Sequence, residues 1–126
     1  MLILSHKSLV CVTAHPKQPG MLVVCGRFPG DVEAFLNSPN AMGARVKEQV
    51  TPDEDYRFRA IVSRGRVLEC LEDAAECITY NDMHAECADW RREAYTHAGC
   101  ALRRAQDVLL GLDLGRASTN SWWSAL

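Results

Sequence analysis

Tyr56-Arg57-Phe58-Arg59-Ala60-Ile61-Val62-Ser63 is the stretch whose reading decides the fold. Side chains along a strand alternate between two faces. Tyr56, Phe58, Ala60 and Val62 therefore share one face, and Arg57, Arg59 and Ile61 the other. An aromatic and aliphatic face backed by a face with two arginines predicts a strand whose apolar side meets helices. Upstream, Thr51-Pro52-Asp53-Glu54-Asp55 reads as a turn, and 44–50 as a weak strand.

Further upstream lie two apolar runs rich in β-branched residues, Leu9 to Ala14 (LVCVTA) and Met21 to Phe28 (MLVVCGRF). Between them, His15 to Gly20 (HPKQPG) holds two prolines and a glycine, which gives strand, turn, strand. Apolar residues at consecutive positions predict that both faces of these strands are covered. Pro29-Gly30-Asp31 then opens a short helix, with Val32, Phe35 and Leu36 at helical spacing, Asp31 at its cap and Ser38-Pro39-Asn40 ending it.

Downstream of the decisive strand, Gly65 to Ile78 reads as a second helix that buries Val67, Leu68, Leu71, Ala74, Ala75 and Ile78. Thr79-Tyr80-Asn81 interrupts, and Asn81 or Asp82 caps a long third helix. Its apolar seam runs Met83, Cys87, Trp90, Ala94, Ala98, Ala101, Ala105, Val108, Leu112. About thirty residues make a rod of roughly 45 Å, longer than a domain of this size covers by itself. Its far end is therefore expected to project or to pair with a second copy. The order ββαββαα defines an α+β domain over 1–114, with one mostly antiparallel four-stranded sheet packed by helices. A tail over 115–126 follows, small and polar at Gly115 to Asn120 and expected to be flexible, with Trp122 and Trp123 as an anchor.

The 126 residues carry 14 basic and 16 acidic side chains, a net charge of −2. That balance argues against bulk attraction to nucleic acid or anionic lipid. No apolar stretch reaches the roughly 18 residues of a membrane span. The opening MLILSHKSLVCV is broken by Ser5, His6 and Lys7 and has no basic leader, so a cytoplasmic location without membrane contact is expected. In that setting the six cysteines, Cys11, Cys25, Cys70, Cys77, Cys87 and Cys100, are expected to be reduced and structural.

Two H-x-x-C pairs, His84/Cys87 and His97/Cys100, have the spacing to place two zinc ligands on one helix face. Thirteen residues separate the pairs, about 220° and about 20 Å along a continuous helix, so they face different ways. No metal and no cofactor is expected. Cys70 and Cys77 rise about 10 Å apart on one helix, beyond disulfide reach. There is no G-x-S-x-G, phosphate-binding loop or G-x-G-x-x-G, so no catalytic residue is nominated. The acidic run Asp53-Glu54-Asp55 reads as a solvated turn rather than a cation site.

The acidic-Tyr-Arg-aromatic-Arg run of Thr51 to Arg59 resembles a signature of a family of small phage and actinobacterial proteins. Tyr80-Asn81-Asp82-Met83-His84, Glu93-Ala94-Tyr95, Met21 to Arg27 and Asp31 to Leu36 are similar as well, so the likeness spans roughly 5–106. Met83 and His84 stand where that family has an aromatic and a lysine, and Gly99 where it has a tryptophan. The resemblance implies an α+β fold and a phage or mobile-element setting, and it implies no activity.

Three functions compete. The first is a non-enzymatic phage or mobile-element accessory protein acting by protein–protein interaction, for instance an anti-CRISPR-like inhibitor of a host defence complex. Its candidate surface is Arg57, Arg59, Trp90, Leu102, Leu109, Trp122 and Trp123, and the last helix is a candidate for homodimer formation. The second is a nucleic-acid-binding accessory protein using Arg57, Arg59, Arg64 and Arg66, although its aromatics and arginines lie on opposite faces. The third is a small thiol- or metal-dependent enzyme.

Overall fold

The computed structural model describes residues 1–52 and 55–111. The chain divides into two compact units, Met1–Cys87 and Ala88–Leu126.

The first unit is built on β1 (Leu2–Leu4), β2 (Leu9–Ala14), β3 (Met21–Gly26), α1 (Asp31–Leu36), β4 (Gln49–Val50), β5 (Phe58–Ser63), α2 (Arg64–Glu76) and α3 (Met83–Glu86). Five strands, not four, form one open sheet in the order β1-β2-β3-β5-β4, with every neighbouring pair antiparallel. The added strand is β1. Ser5 to Ser8, which breaks the apolar opening, is the turn that folds β1 back on β2. Ser5 N–H donates to Ser8 O at 2.9 Å, and Ser8 N–H donates to Ser5 Oγ at 3.0 Å. Asp31 reaches back from α1 and accepts from Leu9 N–H at 2.8 Å.

The helices α1 and α2 pack on one sheet face. Val10, Val12, Leu22, Val24, Ala60 and Val62 meet Val32, Phe35, Leu36, Val67 and Cys70 there, and Phe58 closes the edge of this core. α1 approaches the sheet closely at Gly26, where a Cβ would stand 3.3 Å from Val32 Cγ2. The opposite face of the sheet is not covered as expected: Cys11, Val23, Cys25 and Arg59 are half-buried, and Thr13 and Ile61 are exposed. β-Branched residues suit a half-exposed pleated surface as well as a buried one, so an unbroken apolar run does not require cover on both sides.

The register of Phe58, Ala60 and Val62 agrees with the alternation, and Arg59 and Ile61 lie on the other face. Tyr56 departs from it. It precedes β5 and is half-buried, with the Arg27 guanidinium 4.7 Å from its ring centroid. The weak strand over 44–50 contracts to β4 because Asn37 satisfies Val46 instead. Its side chain accepts from Val46 N–H at 2.7 Å and donates to Val46 O at 2.8 Å. On α2 the buried positions are Val67, Cys70 and Asp73, with Leu71 packed against the core, whereas Leu68 is exposed, as is Ile78 beyond the helix end. Asp73 is held inside by the Ser38 hydroxyl, which rotates the inward face away from Leu68.

The long third helix is broken. Asp82 caps the single turn of α3, accepting from His84 and Ala85 N–H, and Cys87 follows in an extended conformation. The second unit, described over 88–111, begins again as α4 (Asp89–Leu109), a helix of 21 residues and roughly 32 Å. Asp89 places a carboxylate at the new N-terminus, where the helix dipole favours it, and pairs with Arg92 at 3.5 Å. Among the described residues, no helix is long and apolar enough to cross a membrane.

Candidate functional site

At 100° per residue, α4 sorts its side chains into two arcs. Trp90, Ala94, Ala98, Ala101, Leu102, Ala105, Val108 and Leu109 fall within about 120° of one another. Arg92, Glu93, Thr96, His97, Cys100, Arg103, Arg104 and Asp107 fill the remainder. A helix so divided normally buries its apolar arc. Here Trp90 is 50%, Leu102 61%, Val108 71% and Leu109 85% exposed. The buried positions are instead Arg91, Tyr95 and Gly99, along one border of the arc. The expected alanine seam is therefore an exposed surface.

Arg91 shapes the N-terminal end of this surface. Its guanidinium carbon lies 4.4 Å from the Trp90 ring centroid and 5.8 Å from that of Tyr95. Its Nη1 donates to the Tyr95 hydroxyl at 3.3 Å. A cation stacked on an indole fixes the ring, so Trp90 presents a set face. Sequence reasoning did not nominate Arg91 or Tyr95, although their i, i+4 spacing beside Trp90 is a visible signal.

The nominated residues fall in separate places. Trp90, Leu102 and Leu109 share the α4 surface. Arg57 and Arg59 belong to the first unit, Arg57 exposed ahead of β5 and Arg59 half-buried on the helix-free sheet face. Trp122, Trp123, Leu112, Asp53 and Glu54 lie outside the described residues. Of the other arginines nominated for nucleic acid, Arg66 is engaged with the backbone. Its Nε and Nη2 donate to Leu36 O at 3.0 and 2.8 Å, and its Nη1 to Met42 O at 2.8 Å and Ala44 O at 3.2 Å.

A shallow groove of about 580 Å³ opens on the helix-free sheet face, lined by Thr13, Val23, Cys25, Asp55, Tyr56 and Arg59 among others. Elsewhere in the first unit, His6 Nδ1 and the Tyr80 hydroxyl share a hydrogen bond of 3.0 Å across 74 positions of sequence. Their rings meet edge to face at 4.8 Å. Burial, and then the neighbouring Cys87, Glu86 and Cys77, push the Tyr80 hydroxyl above its ordinary 10.0. The H-x-x-C pairs are not assembled. Cys87 has left the helix that holds His84, and His97 and Cys100 are exposed on α4. Among the described residues, no three His, Cys, Asp or Glu side chains converge as metal ligands. All six cysteines are unlinked.

In comparisons with protein families, curated proteins and solved structures, nothing matches this chain.

Proposed function

We propose that this is a non-enzymatic interaction protein that binds a protein partner through the apolar arc of α4. The observation that carries this reading is the exposure of Trp90, Leu102, Val108 and Leu109 on one side of an amphipathic helix. Exposed apolar surface of this continuity marks contact sites, and an aromatic anchor beside aliphatic side chains is the usual make-up of an interface hot spot. Trp122 and Trp123 are proposed as a second anchor. The partner is a host protein complex, with a second copy of the chain as the other candidate. The phage or mobile-element setting, including inhibition of a host defence complex, is the setting the sequence resemblance supports.

Co-purification from a bacterial host lysate, read beside sedimentation of the protein alone, tests the proposal. Leu102→Glu and Leu109→Lys place charge in the arc, and a lysine in the last turn suits the helix dipole. Both variants are expected to keep the melting temperature and to weaken the partner or the dimer at least about tenfold. Equal recovery of the same assembly by the wild type and both variants would remove α4 as the surface. A salt-sensitive DNA or RNA complex that survives both substitutions would favour nucleic-acid binding instead.

A further inference from the structure

Cys11 on β2 and Cys25 on β3 stand directly opposite each other on the helix-free sheet face. Their pairing type follows from the hydrogen bonds at the end of the same ladder. His15 N–H donates to Met21 O at 3.0 Å, so His15 and Met21 form a hydrogen-bonded pair. Such pairs recur at every second position, which makes Thr13 with Val23, and then Cys11 with Cys25, hydrogen-bonded pairs too. Opposed residues of this kind have Cα atoms about 5.5 Å apart. A disulfide spans Cα atoms roughly 4.4–6.8 Å apart. The pairing therefore places the two Cα atoms within the span of a disulfide.

Two further features bear on reactivity. The Cys25 thiol donates to the Cys11 carbonyl at 3.5 Å, so its sulfur already lies over the neighbouring strand. Cys25 also lines the 580 Å³ groove, which gives a small molecule access to it. Opposed Cβ atoms in a sheet are about 4.5–5.5 Å apart, against about 3.5–4.5 Å in a disulfide. Closing the bond draws the strands together, and a strained disulfide of this kind is easily reduced again. The other four cysteines, on α2, at the ends of α2 and α3 and on α4, have no such cross-strand partner.

We propose that Cys11 and Cys25 form a reversible dithiol–disulfide couple that exchanges with small-molecule disulfides entering the groove. The Cys25 thiolate attacks one sulfur of the incoming disulfide, whose other half leaves as a thiol. The Cys11 thiolate then attacks the Cys25 sulfur, the Sγ–Sγ bond forms, and the second half leaves. The protein loses two electrons and two protons, and the external disulfide becomes two thiols. The site is independent of the α4 surface.

The test uses the full chain equilibrated with oxidised and reduced glutathione at graded ratios, quenched by alkylation and mapped by mass spectrometry. Tryptic peptides 8–17 and 18–27 carry one of the two cysteines each, so their cross-link is diagnostic. The expected result is that this cross-link is the first intramolecular disulfide to form and that reduced glutathione reverses it. Cys11→Ser is expected to hold at least about tenfold more glutathione on Cys25 than the wild type, because the resolving thiol is gone. A first cross-link between any other cysteines overturns the proposal. So does alkylation of Cys11 and Cys25 as free thiols at every ratio.

Discussion

His6 and Tyr80 join the first turn of the chain to the segment between α2 and α3 through one hydrogen bond. Because burial and nearby thiols and a carboxylate raise the Tyr80 hydroxyl above 10.0, the folded protein holds that proton more tightly than the unfolded chain. The stabilisation is complete below about pH 10 and is lost as pH rises through the raised value, since above pH 10 the unfolded state releases the proton first. Replacing Tyr80 by Phe deletes the hydrogen bond at every pH and deletes this alkaline decline. Urea midpoints at about pH 9, 10 and 11 are therefore expected to fall more steeply for the wild type than for Tyr80→Phe. Parallel curves would show that the hydroxyl is not linked to folding. None of this was legible in the sequence. A histidine and a tyrosine 74 positions apart carry no local pattern that pairs them.

At the scale of elements, patterns that repeat within one segment were readable and those that depend on a distant neighbour were not. Alternation placed Ala60 and Val62 inside and Arg59 outside, because the period of a strand is a local property. The three residues of β1 are too few to show alternation, and only the Ser5–Ser8 turn makes them a strand. On α2 Leu71 packs against the core as expected, but Leu68 is exposed, as is Ile78 beyond the helix end, while Asp73, which the pattern rejects, is buried because Ser38 satisfies it. Arg66 is the plainest case. It was a candidate phosphate contact, yet three carbonyls receive its guanidinium and fasten the end of α1 and the loop at 42–44 to α2. Arg66→Ala is expected to cost about 1–3 kcal/mol in denaturant unfolding, because it leaves those carbonyls short of donors. Arg66→Lys should recover little of it, since an ammonium cannot reproduce the planar fork. Full stability in Arg66→Ala would return this side chain to the list of surface cations.

At the scale of the whole molecule, the hydrophobic cluster and the surface of the proposed function lie in different parts of the chain. Every member of the hydrophobic cluster between the sheet and its helices, from Val10 to Cys70, belongs to Met1–Cys87, as do all five strands and the two helices packed on them. The apolar side chains that the proposed function uses, Trp90, Leu102, Val108 and Leu109, all belong to α4. The amphipathic character of α4 was readable from its sequence, but amphipathicity does not say which partner the apolar arc meets. A chain ending at Cys87 separates the two roles. It keeps the whole Val10–Cys70 cluster and loses the buried Tyr95, and domains of such length fold alone when their burial is sufficient. It is expected to unfold cooperatively by far-UV circular dichroism and to recover no partner from the lysate that the full chain captures. If this fragment is unfolded, α4 is a structural part of the core and its exposed arc loses its claim to be a surface kept for a partner. If the fragment folds and still recovers the partner, the contact lies on the first unit, and the helix-free sheet face with its groove and Arg59 becomes the surface to test.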